Sequence, residues 1–231
     1  MTILSNGHLW KYSEFIENKN FSFQKNKILD SLSKKDDSIG AINRAKILSA
    51  AEKEFAIHGF KGTRVQKIAD RAELPKTNIL YYFKSKDGLY LALLQEILSL
   101  WNSSFDNAKA QDDPAQVLAA YIADKMEISR CRPDASKIFA LEIINGAPNL
   151  SSFFKDQHSN WMNSRVAVIR QWIELGKLPD IDPHYLLFNI WASSQHYADF
   201  SAQITELKGH EMDQSEFANA TKSLIKLILQ G

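Results

Sequence analysis

The residues from Trp191 to Asp199 hold the side chains best suited to binding chemistry in this sequence. Trp191, Gln195 and Asp199 recur at intervals of four, so on a helix they share one face. An indole, an amide and a carboxylate on one face can stack on a flat molecule and hydrogen-bond its polar edge. Buried polar groups cost roughly 1–3 kcal/mol each when they are unpaired. This face is therefore expected to meet water, a partner helix, an internal hydrogen-bond network or a polar ligand.

A second stretch, residues 63–86, carries side chains suited to contacts with DNA. Its pattern predicts two short amphipathic helices joined by a turn. The second helix spans about residues 76–83 and turns Ile79, Leu80 and Phe83 inward. The side chains left outside carry ammonium, hydroxyl, amide and phenol groups, which hydrogen-bond base edges and phosphates. They are Lys76, Thr77, Asn78, Tyr81 and Tyr82.

Base reading and phosphate contact are expected from different residues of this stretch. In a helix-turn-helix, the N-terminal part of the second helix reads base edges in the major groove. We expect base reading from Lys76, Thr77, Asn78 and Tyr82. We expect phosphate contacts from Thr63, Tyr81, Lys84 and Lys86. Thr63 is also predicted to cap the first helix, since Gln66 follows at the capping-box spacing.

Charge is distributed unevenly along the chain. Residues 41–88 hold ten Lys/Arg and five Asp/Glu, a balance of +5. Residues 89–231 hold twelve Lys/Arg and seventeen Asp/Glu, a balance of −5. A basic segment on an acidic body favours approach to phosphates, so the charges support a DNA-binding role for the helix pair.

Composition restricts the class of protein. Hydrophobic residues make up 45% and charged residues 24%, which is typical of a globular protein. A single cysteine, Cys131, excludes an intramolecular disulfide and indicates a reducing compartment. No apolar run approaches the length of a transmembrane helix, and the N-terminus lacks the pattern of a signal peptide. We therefore expect a cytoplasmic protein without a membrane partner.

Motifs of catalysis and metal binding are missing from the sequence. It contains no G-x-S-x-G, no H-E-x-x-H and no glycine-rich phosphate loop. The six histidines lack the close spacing of metal ligands. Ser193, His196 and Asp199 follow one another in steps of three, so a proton relay on one helix face is conceivable. No oxyanion hole is indicated, and we expect no enzyme, no metal and no cofactor.

Apolar periodicity near 3.6 residues recurs over long stretches without paired strands, which predicts an all-α protein. Three helices are expected in a head: about residues 41–58 closed by Gly59, a short helix ending before Glu73, and the reading helix. Six are expected in a body: about residues 85–107, 114–131, 133–145, 150–175, 183–203 and 213–229. Four of these starts are predicted from capping patterns: Ser85 as N-cap, Asp113 and Asp182 each before a proline, and Asp213 with Glu216 at the capping-box spacing.

Three regions follow from these helices. Residues 1–40 are expected to be a partly disordered N-terminal extension, although their aromatic residues also suit an arm that docks on the body or contacts DNA. Residues 41–88 are expected to be a helix-turn-helix DNA-binding domain, and residues 89–231 a ligand-binding and dimerisation domain. The last two long helices should form the dimer interface as a four-helix bundle. Their expected apolar faces are Leu186, Leu187 and Ile190 on one, and Phe217, Leu224 and Ile228 on the other.

The run F-K-G-T at residues 60–63, an Ile–Ala pair in the next helix and L-Y-Y-F-x-S-K at residues 80–86 resemble the DNA-binding domain of the TetR family. Three positions depart from the usual pattern. Glu73 stands for the turn glycine, Pro75 for the serine cap and Asp87 for a frequent glutamate. Because the turn glycine normally takes a positive φ, Glu73 would adopt that conformation only at a cost.

Within that family, residues 43–229 resemble the regulators of pyrimidine utilisation, most specifically through W-A-S-x-Q-H-Y-A-D-F at residues 191–200. The resemblance implies a homodimeric repressor on palindromic operators, with a pocket in each body for uracil or thymine, which releases the DNA. A pyrimidine is flat, with two carbonyl acceptors and two N–H donors. Such a ring could stack on Trp101 and Trp191, and Gln195 could hydrogen-bond its polar edge. Further polar candidates for the ligand site are Glu142, Ser194 and Tyr197.

Two other functions fit parts of the sequence. A TetR-type regulator of efflux genes would have a broad hydrophobic pocket, and the polar face from Trp191 to Asp199 argues against it. A dimeric helical scaffold without a regulatory role would not need a head with a charge of +5.

Overall fold

A computed structural model describes residues 39–230, and all regular structure in that range is helical, which confirms the all-α prediction. The predicted extension lies outside the described residues except for Ile39 and Gly40, which open the first helix. The described residues from Ile47 onward belong to one compact unit, which holds a hydrophobic core.

Helices of very different lengths follow one another along the described residues. They are α1 Ile39–Gly62, α2 Val65–Ala72, α3 Lys76–Phe83, α4 Lys86–Asn102, α5 Pro114–Cys131, α6 Pro133–Ile144, α7 Ser151–Phe153, a π-helical turn Phe154–His158, α8 Ser159–Glu174, α9 Pro183–Asp199, α10 Ser201–Lys208 and α11 Gln214–Gln230.

Four helix starts are formed by the caps that the sequence predicts. Ser85 Oγ accepts a backbone hydrogen bond in the first turn of α4. Asp113 and Asp182 cap α5 and α9, each directly before a proline in the first turn. At α11, Asp213 accepts from the backbone N–H of Glu216 while Glu216 accepts from that of Asp213, which completes the predicted capping box.

The α4 helix is shorter than expected. It ends at Asn102 instead of near residue 107, and the chain turns there through a backbone hydrogen bond from Phe105 N to Asn102 O. The turn buries Phe105, whose ring centroid lies 5.1 Å from that of Tyr121 and 6.2 Å from that of Trp172. Burial of three aromatic rings therefore outweighs a further turn of helix.

Three other long helices are interrupted. Gly59 adopts φ 65° and ψ 174°, so α1 kinks at the residue predicted to close it. The predicted helix of about residues 150–175 holds the π-helical turn at Phe154–His158. The predicted helix of about residues 183–203 breaks at Phe200, after which α10 begins.

One hydrophobic cluster joins the head to the body. It takes buried side chains from α1, α2, α3, α4 and α6, including Phe55, Ile68, Ile79, Leu93 and Ile138. The α4 helix is shared, because its residues from Leu89 to Trp101 line the same cluster. In the body, α5 packs against α9 and α11, and α9 also packs against α6.

The predicted dimer face is largely buried inside the subunit. Leu186, Leu187, Ile190 and Leu224 are buried, whereas Phe217 and Ile228 are half-buried. The assignment is wrong for the four buried residues, because α9 and α11 both pack against α5, which covers these apolar side chains. Both helices instead expose other apolar side chains, among them Tyr185 at 64% and Leu227 at 73%.

Membrane crossing and metal binding can be checked for the part of the chain that the structure describes. No helix within residues 39–230 is both long and apolar enough to cross a membrane. No group of three His, Cys, Asp or Glu side chains in the same range is placed to hold a metal ion. The single cysteine, Cys131, is exposed.

Candidate DNA-binding and effector sites

The predicted reading helix, α3, is anchored to the core by one face only. Ile79 and Phe83 are buried as predicted, but Leu80 is 41% exposed. In a helix of only two turns, Ile79 and Phe83, four residues apart, complete the inward face. Leu80 follows Ile79 and therefore lies about 100° further around the helix axis. The half-buried Tyr82 packs against the core in its place. The expectation that Leu80 faces inward is therefore wrong, and Tyr82 projects outward only in part.

The polar side chains of α3 form one exposed surface. Lys76, Thr77 and Tyr81 are exposed, and Asn78 is half-buried. The Tyr81 ring meets that of Tyr82 edge-on, with ring centroids 5.1 Å apart. Amide, hydroxyl, ammonium and phenol groups are thus presented together, as a reading helix in the major groove requires.

Two lysines flank this surface at the end of α3. Lys84 Nζ donates to the Tyr81 carbonyl at 3.0 Å. Lys86 Nζ lies 4.7 Å from the centroid of the Phe60 ring and 3.4 Å from the Lys61 carbonyl oxygen. Both ammonium groups are therefore held near the reading helix, where phosphate contacts are predicted.

The turn between α2 and α3 places a non-glycine residue in a left-handed conformation. Glu73 adopts φ 55° and ψ 41°, and its N–H bonds the Asp70 carbonyl at 3.2 Å. The turn therefore keeps the left-handed conformation that a glycine would adopt, and the Cβ of Glu73 adds a steric cost in that conformation. Pro75 precedes α3 as its N-cap and provides no side-chain cap.

Thr63 has a different role from the one predicted. It is 3% exposed, and its hydroxyl lies 3.0 Å from the Glu54 carbonyl oxygen and 2.7 Å from that of Gly59. The N-cap of α2 is Arg64, and Gln66 donates to a carboxylate in its own helix. The capping prediction for Thr63 is wrong, and its burial argues against a phosphate contact. The exposed Arg64 is a candidate for a phosphate contact that sequence reasoning missed. The signal available in the sequence was a cationic residue directly before the start of a helix.

The first turn of α4 touches the end of the reading helix. An ideal Cβ on Gly88 would lie 2.2 Å from the Phe83 carbonyl oxygen, so only glycine allows this approach. The Ser85 cap fixes the same turn, with its Oγ 3.0 Å from Gly88 N. The position of α3 is therefore tied to the direction of α4.

An ionic seam joins the body to the head. Arg132, between α5 and α6, donates to Glu52 on α1 and lies 3.5 Å from Glu96 on α4. Close by in sequence, Lys53 Nζ donates to Asp134 at 2.7 Å. Glu52 is buried, so its charge depends on the arginine for compensation.

The body brings two aromatic residues, Trp101 and Tyr121, around the buried Lys125, and a third, Trp191, against Tyr121; we call these four residues the lysine cluster. Lys125 is 2% exposed, and its Nζ lies 4.7 Å from the Trp101 ring centroid and 5.6 Å from that of Tyr121. Trp191 Nε1 donates to the Tyr121 hydroxyl at 2.7 Å. Of the two tryptophans predicted to stack on a ligand, Trp101 therefore contacts the lysine, and Trp191 contacts the tyrosine beside that lysine.

Burial has the largest effect on the pKa of Lys125 and on that of the nearby Asp199. It lowers the pKa of Lys125 to about 7, although the charge of Asp199 acts in the opposite direction. Burial also raises the pKa of Asp199, whose Oδ1 accepts from Ser136 Oγ at 2.6 Å. Sequence reasoning missed Lys125 because a single lysine in a helix is usually solvated. The available signal was its place on the stripe with Leu118 and Ile122, both of which are buried.

The other predicted ligand residues lie in different surroundings. Gln195 is half-buried one helical turn after Trp191. Ser194 is buried, and its hydroxyl donates to the Ile190 carbonyl at 2.7 Å. Tyr197 is half-buried beside α11, with its ring centroid 6.0 Å from that of Phe217.

Glu142 is already engaged within the subunit. Its carboxylate accepts from the backbone N–H of Asn149 at 2.7 Å and from the Asn149 amide at 3.1 Å. Burial raises the pKa of Tyr90, and the charge of Glu142 raises it further. These contacts join the end of α6 to the following loop, so this carboxylate holds the body together at that point.

A histidine adjoins the lysine cluster without having been predicted. His158, at the end of the π-helical turn, stacks on Trp161 with ring centroids 5.6 Å apart and planes 9° apart. Its ring centroid also lies 6.0 Å from that of Trp191. Burial lowers the pKa of His158, and the charge of Lys125 lowers it further.

Two family profiles cover most of the chain. The family described as bacterial regulatory proteins, tetR family, matches residues 47–93. The family described as YcdC-like protein, C-terminal region, matches residues 94–231. The HTH-type transcriptional regulator RutR of Escherichia coli strain K12 is 39% identical over 199 residues, which are 86% of this chain and 93% of that protein.

Solved structures agree with the fold. The regulator FadR from Bacillus subtilis, in complex with stearoyl-CoA, superposes with a TM-score of 0.60 at 18% identity and covers 81% of this chain and 98% of its own. The fatty acid degradation regulator FadR from Bacillus halodurans gives a TM-score of 0.60 at 18% identity over 84% of this chain and 97% of its own. At such identities the likeness concerns the fold alone.

Proposed function

Because the chain belongs to the TetR family of bacterial regulatory proteins, it is a DNA-binding transcriptional regulator, and we propose that uracil or thymine is the effector that releases it from DNA. Members of this family dimerise and bind small effectors. The observation that carries the proposal is the buried Lys125 side-chain nitrogen against the face of Trp101. A pyrimidine beside it offers a carbonyl to the lysine and a flat ring to the indole. Release would then control genes of pyrimidine metabolism.

Each edge of a pyrimidine has a complementary group in this site. Trp101 and Trp191 offer ring faces, and Lys125 donates to one carbonyl oxygen. Gln195 both donates and accepts, which matches an edge where a carbonyl adjoins an N–H. Cytosine carries an amine where uracil has its second carbonyl, so it would place a donor against a donor. An apolar effector of the efflux type would leave the lysine unpaired.

The DNA contacts that we propose lie on the exposed side of α3 and around it. Base reading falls to Lys76, Thr77, Asn78 and Tyr82. Phosphate contacts fall to Arg64, Tyr81, Lys84 and Lys86. In a dimer, two copies of α3 would enter major grooves one helical turn apart, about 34–36 Å, on a palindromic operator. Acting on such operators, the protein would work in the cytoplasm.

The dimer that we propose pairs α9 and α11 with the same helices of a second subunit. Tyr185 and Leu227 are exposed on these two helices, as apolar side chains at a subunit interface would be in one subunit alone. Such contacts are isologous, so the two heads would lie on one side related by a two-fold axis.

The switch that we propose is the α4 helix. Its 17 residues form a rod of roughly 25 Å. Trp101, at one end, belongs to the lysine cluster, while Gly88 at the other end touches the reading helix. A ligand shifts the dimer only by binding its two conformations unequally. A tilt of α4 at Trp101 would move the head through α4 and through the ionic seam at Arg132. It would thereby change the spacing of the two reading helices.

Calorimetry with uracil, thymine and cytosine tests the effector assignment. Uracil and thymine should bind the wild-type dimer, and cytosine should not. Gln195→Ala should lose uracil binding while keeping DNA binding, and Gln203→Ala, on the exposed side of α10, is the matched control. Equal binding of all three bases, or of none, would contradict the pyrimidine assignment and favour an efflux-type regulator.

A further inference from the structure

The π-helical turn before α8 sets an imidazole against the lysine cluster. π-helical turns are rare and occur frequently at functional sites. This one ends at His158, which stacks on Trp161 and lies 6.0 Å from Trp191, ring centroid to centroid. Neither DNA binding nor the stacking of a pyrimidine requires a histidine at this place, so its position needs a separate explanation.

Lys125 and His158 are two nitrogen bases that face the same site. Within residues 39–230, neither Lys125 Nζ nor a ring nitrogen of His158 has a hydrogen-bond partner; their contacts are ring faces. Burial lowers the pKa of both groups, and the charge of Lys125 also lowers that of His158. Above pH 7, both are therefore predominantly free bases with polar atoms available to a ligand.

The acidic groups nearby do not neutralise the lysine. Asp199 attracts Lys125, but burial has the larger effect on the pKa of the lysine. Asp199 is itself held by Ser136 and by the charges of His196 and Lys137, and burial raises its pKa. A further charged group near the cluster is Asp106, whose charge acts on Tyr121. Lys125 is thus a base that the nearby carboxylates do not neutralise.

We propose that Lys125 accepts the proton of the effector's imide N–H, so that the effector is an acidic cyclic imide bound as its anion. The N–H bond of the imide breaks, its electron pair spreads over the flanking carbonyls, and a new N–H bond forms at Lys125 Nζ. His158, as a neutral imidazole, donates its ring N–H to the anion. This inference rests on the proposed function, since uracil and thymine are imides of this class.

Acidity rather than size should then rank the ligands of this site. In a site shielded from water, the ammonium and the anion attract each other strongly. The proton transfer becomes more favourable as the imide becomes a stronger acid. 5-Fluorouracil, a stronger acid than uracil with almost the same shape, should bind more tightly. 1,3-Dimethyluracil has no N–H to give and should not bind.

Fluorine NMR of 5-fluorouracil with the full-length protein reads the charge of the bound ligand directly. At a pH where the free ligand is mostly neutral, the bound resonance should lie at the position of the anion. Lys125→Met keeps the length of the side chain without its basicity, and it should lose the anion resonance. His158→Leu should retain that resonance but bind roughly tenfold or more weakly. His210→Leu, at an exposed histidine paired with Glu216, is the matched control and should behave as wild type.

Calorimetry on the same proteins separates the two possible failures. If uracil and 5-fluorouracil bind equally well and the bound resonance stays at the neutral position, the proton transfer is wrong while the pyrimidine assignment stands. An anion resonance that persists in Lys125→Met would likewise overturn the role of the lysine. If none of the pyrimidines binds the wild type, the proposed function fails and this inference fails with it.

Discussion

The head and the body place their polar side chains in opposite environments. In the head, the groups expected to meet DNA are largely exposed and come mainly from α3, a helix of eight residues. In the body, Lys125 and the residues around it are buried or half-buried and come from α4, α5, α9 and the π-helical turn. A surface for a long charged polymer is thus formed by local sequence, whereas a site for a small molecule depends on how distant helices pack.

The energetics of the two regions differ in the same way. Exposed charges of the head keep their hydration, and their attraction to phosphates is screened by salt. The buried lysine of the body has lost its hydration, which is costly until a ligand or a change of protonation compensates it. Mutations should therefore act on DNA binding and on ligand binding separately, except where α4 connects the regions.

The largest effect is expected at that connection, from Gly88→Ala. The new Cβ would lie 2.2 Å from the Phe83 carbonyl oxygen, so α3 or α4 must move. We expect a loss of about 3 kcal/mol in stability and loss of operator binding. Thermal unfolding and DNA binding measure both. Gly62→Ala is the control, since its Cβ would meet only His58 Cβ at 3.5 Å. Equal effects of the two changes would refute the close approach.

The next effect concerns the buried charge of the body. Lys125→Met should stabilise the protein at pH 7 by about 2–3 kcal/mol, because no ammonium is then buried. Between pH 7 and the ordinary lysine pKa of 10.5, the unfolded wild type binds a proton that the folded one does not. Wild-type stability should therefore rise with pH in this window, and its deficit against the variant should shrink. Denaturant unfolding at pH 7, 8 and 9 measures the difference in stability between the wild type and the variant. A difference that does not change with pH would contradict the low pKa of Lys125.

In the head, two substitutions should separate base reading from phosphate contact. Asn78→Ala should cost about 1–3 kcal/mol of operator binding and relax specificity at one base pair. Lys86→Ala should weaken binding to all sequences alike and reduce the salt slope by about one. Salt titrations with matched and mismatched DNA distinguish them. If neither change alters binding, α3 is not the reading helix.

The smallest effect is expected at the turn before α3. Glu73 has φ 55°, a conformation that glycine adopts without strain. Glu73→Gly should therefore stabilise the protein by about 1 kcal/mol, less the entropy that glycine adds to the unfolded chain. Uracil binding should not change. A lower melting temperature in the variant would show that the turn is not strained.

The elements that could be predicted from sequence are those with local causes. Ser85, Asp113 and Asp182 cap their helices because each cap needs only its own first turn. Which side of an apolar helix faces inward depends on its neighbours, so Leu80 and Leu186 were placed on the wrong side. Lys125 could not be found from composition, because its burial is a property of the packed body. The π-helical turn at His158 has no local signal that separates it from an α-helix.

The most direct test of the link between the two regions is operator release in the wild type and in Lys125→Met. Fluorescence anisotropy of a labelled palindromic DNA, at one salt concentration, follows release as uracil is added to the full-length dimer. We expect uracil to release the wild type, while Lys125→Met stays bound to DNA with its original affinity at every uracil concentration. Equal release of both proteins, or a wild-type complex that uracil leaves intact, would contradict a switch controlled from the lysine cluster.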